Sequence, residues 1–155
     1  MTKEINDIAA RYGCSFIYLF GSQADAGGEF LDEKTIYAET SRELHSSSDL
    51  DIAVAFNEIP SKPDETSANL YRDLSEIFDP FTVDVVFMHE VDSLFNYEII
   101  KGRRIYAKDE DAADEFEDSI VKRASDLYFK KKIYDNEVMG AIENGYFAFE
   151  YSPRP

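Results

Sequence analysis

Residues 15–20 read SFIYLF, a β-branched and aromatic run of strand length that stops directly on Gly21-Ser22. Three further runs read as strands: LDIAVAF at 50–56, TVDVVFM at 82–88 and the short RRIYA at 103–107. Helical spacing fills the intervals. Ile5, Ile8, Ala9 and Tyr12 mark a first amphipathic helix with Gly13 as its stop. Asp64 reads as the N-cap of a helix carrying Leu70, Leu74, Ile77 and Phe78 on one face, ended by Pro80. Asp92 or Ser93 caps a short helix to Lys101, stopped by Gly102. From Glu110, Phe116, Ile120, Ala124 and Leu127 mark a long amphipathic helix. The order implies an α+β or α/β plan, a small mixed β-sheet with helices packed on it.

Two segments resist this pattern. Residues 23–48 have no period and read as a loop, with one short helix near Glu39–Leu44. From Lys130 an aromatic-rich tail begins, with Tyr134, Tyr146, Phe147, Phe149 and Tyr151. Those rings either pack back on the body or form a docking surface for a partner. The expected organisation is one domain over 1–129, carrying a loop insertion at about 26–47, followed by the tail 130–155.

At 155 residues and 44% hydrophobic composition, the chain is long enough to bury a core. Its 32 acidic and 16 basic residues give a formal charge of -16, a field that repels phosphate backbones. No direct nucleic-acid partner is therefore expected. The charge suits a basic partner, an enzyme that concentrates cations, or solubility alone. Cys14 is the single cysteine, so no intrachain disulfide forms, and it is expected to pack as a small apolar residue. The start MTKEINDIAARYG lacks the apolar run of a signal peptide, and no run approaches a membrane span. The expected location is the cytoplasm, with no membrane partner.

Asp49 and Asp51 flank Leu50, so on a strand both carboxylates share one face while Leu50 and Ile52 turn to the core. Two acids on one face repel unless a cation lies between them, and carboxylate oxygens suit Mg2+, which completes its shell with water and substrate phosphates. Asp84 interrupts the apolar TVDVVFM run and joins the same cluster if the two strands are neighbours. A solvated strand face for Asp49 and Asp51, and an edge position paired with a lysine for Asp84, are the plain alternatives. Gly21 allows close backbone approach to a ligand, Ser22 adds a hydroxyl donor, and a helix turn starting at Gln23 would offer free N–H groups to a phosphate. His45 is expected to be solvated and His89 structural.

Taken together, LFGS, SDLDIAV and VDVVF, with the later EIIKGRRIYAKD ahead of a long helix, resemble the minimal nucleotidyltransferase (MNT) domains of the DNA polymerase β-like superfamily. The resemblance spans about Cys14 to Leu127 and implies the α+β polymerase β-like nucleotidyltransferase fold. By resemblance, Gly21 and Ser22 hold the nucleotide triphosphate. Asp49, Asp51 and Asp84 bind Mg2+, and Asp84 also serves as general base. ATP is the implied substrate. Small members of the family resemble antitoxins that transfer AMP to a tyrosine hydroxyl of a HEPN-domain ribonuclease toxin, so the implied partner is a cognate HEPN toxin in a hetero-oligomer. A binding antitoxin without catalysis, and a transferase acting on a small alcohol such as an aminoglycoside, are the alternatives. The chain departs from the family pattern in two ways. Its interval between GS and DLD is long, and Gln23, Ala24 and Asp25 stand where basic residues are common. Arg42, Lys34, Arg103 and Arg104 are the candidate compensating cations. The insertion is expected to contact the acceptor.

Overall fold

All seven residues of Cys14–Phe20 (β1) are buried, which requires neighbours on both edges and a packed layer on both faces. The computed structural model, which describes residues 2–32 and 49–144, supplies both. Leu50–Phe56 (β2) and Arg103–Ala107 (β4) flank β1 antiparallel, and Val83–Phe87 (β3) pairs parallel with β2, giving the order β3-β2-β1-β4. This is the small mixed α+β sheet expected from the sequence.

Alternation along the strands divides the core in two. Ile17, Leu19, Leu50, Ile52 and Val54 face α1 (Thr2–Tyr12), α2 (Ala24–Asp32) and α3 (Pro63–Phe78). Phe16, Tyr18, Phe20, Ala53 and Ala55 face the opposite layer, made by Ser93–Ile100 (α4) and Glu110–Glu143 (α5). A 3-10 turn, Met88–Glu90, follows β3. Among the described residues no helix is long and apolar enough to cross a membrane.

The local stop and start signals act largely as the sequence suggests. Gly13 takes φ +68, a conformation suited to glycine, between α1 and β1. Asp92 caps α4, its carboxylate accepting from the Phe95 amide at 2.8 Å. The start of α3 differs: its N-cap is Lys62, with no side-chain capping bond, and Asp64 lies inside the first turn. Pro63, pre-set for a helical φ, opens the helix, and Asp64 and Glu65 then suit the positive end of its dipole.

Residues 24–32, read from the sequence as part of the loop, form α2. Gly27 and Gly28 weaken the sequence signal for a helix, yet packing requires at least Gly27 to be small. A Cβ on Gly27 would sit 2.6 Å from a Leu50 methyl and 3.1 Å from one on Leu19. The helix therefore lies close on the sheet, anchored by the fully buried Phe30. The expected short helix at Glu39–Leu44, with Lys34, Arg42 and His45, lies outside the described residues. At the other end, α5 continues without a break across Lys130 to Glu143. Tyr134 is on this helix and exposed, while Tyr146, Phe147, Phe149 and Tyr151 lie outside the described residues.

Candidate active site

The two halves of the sequence motif meet through strand register. Phe20, the last residue of β1, pairs with Asp51 of β2, and Asp51 pairs on its other side with Asp84 of β3. Asp49 immediately precedes β2 and is exposed, Asp51 is half-buried and Asp84 is exposed. Neighbouring partners in a sheet share a face, so Asp51 and Asp84 stand beside each other on the face that carries Phe20. The ring of Phe95, from α4, packs edge-on against Phe20 with centroids 5.8 Å apart and borders this corner.

Gly21 closes the arrangement. Its φ is +77, and a Cβ there would lie 2.5 Å from the Asp51 carboxylate oxygen. Only a residue without a side chain lets the turn lie directly against that oxygen. Ser22 is exposed next to it, and α2 begins two residues later, where the Ala24 amide donates to the Gly21 carbonyl at 3.3 Å. The start of a helix thus follows the turn beside the carboxylates. Asp25, in the first turn of that helix, is also exposed.

Among the described residues, no cation compensates the charges of the corner. Burial first, then the charges of Asp84 and Asp49, push the Asp51 carboxyl above its ordinary value. Among the described residues no lysine, arginine or histidine forms an ion pair with Asp49, Asp51 or Asp84. The lysine-paired reading of Asp84 therefore has no support among them. Arg103 is committed elsewhere, bonded to Asp32 at 2.6 Å and lying across Gly28. Arg104 is held by Glu117 at 2.5 Å and Glu110 at 2.6 Å, with Asp114 at 3.6 Å.

The described residues contain no ready cage of three His, Cys, Asp or Glu side chains around one point. Carboxylates without a cation separate by mutual repulsion, so a closed cage is not required before an ion arrives. The donor set is all oxygen, and two of the three side chains are exposed. Those features fit a hard divalent cation that retains waters.

The other candidate groups fall outside this corner. Cys14 is buried and its thiol is pushed up to about 12 by that burial, which makes it an inert packing residue. His89 stacks on Phe87 at 5.7 Å, consistent with a structural role. Sequence reasoning missed one supporting network. Tyr18, fully buried two residues before Phe20, donates to Glu117 at 2.7 Å, and Glu117 also accepts from Arg104. This ties the strand that ends at the site to α5. A tyrosine inside an apolar strand signals that its hydroxyl needs a partner, but nothing in the sequence identifies Glu117 as that partner.

Comparisons with known proteins bear on the family and the fold. The family model described as polymerase beta, nucleotidyltransferase matches residues 3–111. No curated protein matches the chain in sequence. Among solved structures, the chain is similar to a toxin–antitoxin MntA–HpeT variant with two aspartate-to-glutamate substitutions. That match has a TM-score of 0.63 and 16% identity, covering 90% of this chain and 98% of the other. It is also similar to a toxin–antitoxin structure with AMP-PNP, with a TM-score of 0.62 and 17% identity, covering 89% and 98% of the two chains. A third likeness is to a complex from Shewanella oneidensis of tri-AMPylated HEPN toxin with MNT antitoxin, with a TM-score of 0.59 and 16% identity, covering 89% and 95%. At these identities the likeness shows a shared fold.

Proposed function

The chain belongs to the polymerase β nucleotidyltransferase family, and from that premise we propose that it is an antitoxin that transfers AMP from ATP to a tyrosine hydroxyl of a HEPN-domain toxin. One observation carries the reading: Asp51 lies between the Gly21 turn and Asp84, so that turn and the acids meet at one corner. The toxin as partner is suggested by what the similar solved structures contain, an AMPylated HEPN toxin with its MNT antitoxin and a complex with AMP-PNP.

Each residue then has a task. The Gly21 backbone, the Ser22 hydroxyl and the first amides of α2 hold the triphosphate. The acceptor oxygen attacks the α-phosphorus in line. A new P–O bond forms, the bond from the α-phosphorus to the bridging oxygen breaks, and pyrophosphate leaves with that electron pair. Asp84 takes the acceptor's proton and releases it to water. Asp49, Asp51 and Asp84 would hold Mg2+, which when bound neutralises charge on the attacking and leaving oxygens.

A second reading, a binding antitoxin with no transfer, is favoured by Asp25. An exposed carboxylate at the start of α2 opposes a polyphosphate, and among the described residues Arg103 and Arg104 are both engaged elsewhere. Toxin neutralisation in cells separates the two readings. The doubly substituted Asp49→Ala, Asp51→Ala protein should fail to protect while still binding the toxin; full protection would sink the catalytic reading and support the binding one.

A further inference from the structure

The apolar stripe of α5 continues past the body it covers. Phe116 stacks on Phe16 with centroids 4.7 Å apart, Ile120 is buried beneath the sheet's second face, and Ala124 is buried one turn further on. Ala124 is the last buried residue on the helix, and no position from 125 to 144 is buried. At about 1.5 Å per residue, the remaining turns extend for roughly 28 Å. The same face nevertheless continues with Leu127, Tyr134, Val138 and Ala141, broken only by Lys131. This spacing of three and four residues is the seam that a second helix packs against.

A groove leads into that seam from the body. The wall from α4 carries Leu94, Phe95 and Tyr97, and the wall from α5 carries Val121, Ala124 and Tyr128, around a cavity of about 690 Å³. Phe95 and Tyr128 are 41% and 61% exposed, so large apolar surface faces water. One wall of the groove adjoins the candidate active site, because Phe95 touches Phe20, the strand partner of Asp51. A segment seated in it therefore lies on the same face of the sheet as the carboxylates. The chain's overall charge of -16 works against self-association and favours a less acidic partner.

The geometry points to an acceptor-docking surface: an amphipathic helix of the acceptor protein seats in the α4–α5 groove and along the α5 seam, bringing its hydroxyl to Asp51 and Asp84. This rests on the protein-acceptor reading above and moves the docking surface expected for the tail inward, to residues 94–128 and the helix beyond. The exposed positions of α5 past Ala124, among them Leu127, Tyr128 and Tyr134, then gain a packing partner when the complex forms.

The test uses the full chain with a HEPN-domain protein as the acceptor. Tyr128→Glu and Tyr134→Glu both alter exposed positions, and circular dichroism with thermal melting checks that each variant folds. Binding to the partner is measured first without nucleotide, then KM and kcat for AMP transfer. The expected result is at least a tenfold weakening of binding and a matching rise in KM. The kcat at saturating acceptor and the affinity for ATP should both stay unchanged. Unchanged binding in both variants overturns the docking surface. So does a wild-type homodimer in sedimentation that these substitutions dissolve, because a second copy would then cover the seam. Binding lost in the variants without AMP transfer by the wild type would leave the docking surface standing and sink the transferase reading.

Discussion

Two acidic sites on the same sheet-and-helix body are built in opposite ways. Asp73 of α3 is buried, and it accepts hydrogen bonds from Arg11 at 2.8 Å, Tyr12 at 2.5 Å and Arg72 at 3.2 Å. Burial alone would push its carboxyl up, but the bonds from Tyr12, Arg72 and Arg11 outweigh it and hold the carboxyl below its usual range. Asp51 is half-buried beside two other carboxylates, has no cation among the described residues, and is pushed up. A carboxylate that fastens α1 to α3 comes with its partners supplied. One left with like charges at the mouth of a glycine turn is arranged for something the fold does not provide.

The sharpest way to break this contrast is to remove the unpaired acid. Asp51→Ala should lower AMP transfer by roughly a thousandfold, the scale of losing a main transition-state stabiliser. Without metal, Asp51→Asn should melt no lower than wild type at neutral pH. The sign follows from the raised carboxyl, which costs stability as pH rises from its unfolded value through its folded one. A clear fall in melting temperature for Asp51→Asn would mean that Asp51 has a structural partner, as Asp73 does.

Gly21→Ala tests the turn itself. The added methyl meets the Asp51 oxygen and forces an alanine to φ +77, costing about 1–2 kcal/mol of local strain. Transfer should fall by about a hundredfold through misplacement of the triphosphate and Asp51. Retained activity would show that the turn does not set the site's geometry.

Asp73→Ala should do the reverse: about 1–2 kcal/mol lost from stability, with transfer per folded molecule unchanged. Chemical denaturation and a kinetic assay on the same preparation read both quantities. The smallest effect is in the acid limb. Because the folded Asp73 carboxyl is depressed, its contribution is complete above the ordinary carboxylate range and fades as pH falls through the folded value. The stability gap between wild type and Asp73→Asn, followed by urea midpoints from pH 6 downward, should therefore narrow toward acid.

The contrast also shows what a sequence can reveal. Asp51 and Asp84 stand out in the sequence because a charge inside a strand pattern is costly and conspicuous, and alternation assigns its face; Asp49, just before β2, stands out only through its spacing from Asp51. Asp73 passed unnoticed because a charge in a helix is ordinary, and nothing local shows that Arg11 and Tyr12 will arrive from α1, more than sixty positions away. The strands were legible from their apolar and aromatic runs. Helix α2 was not, because Gly27 and Gly28 lower helix propensity, while the space between Leu19 and Leu50 that calls for a small residue exists only after folding. The outer half of α5 was obscured similarly: KKK breaks the apolar stripe, though a helix continues readily through lysines.

The most direct measurement is the intact mass of the HEPN-domain partner after incubation with the chain, ATP and Mg2+. The partner should gain one or more AMP units with the wild-type chain and none with the Asp49→Ala, Asp51→Ala variant, although both bind it. An unmodified partner in a well-formed wild-type complex, or equal modification by the variant, would contradict the assignment of the carboxylate corner as a nucleotidyl-transfer site.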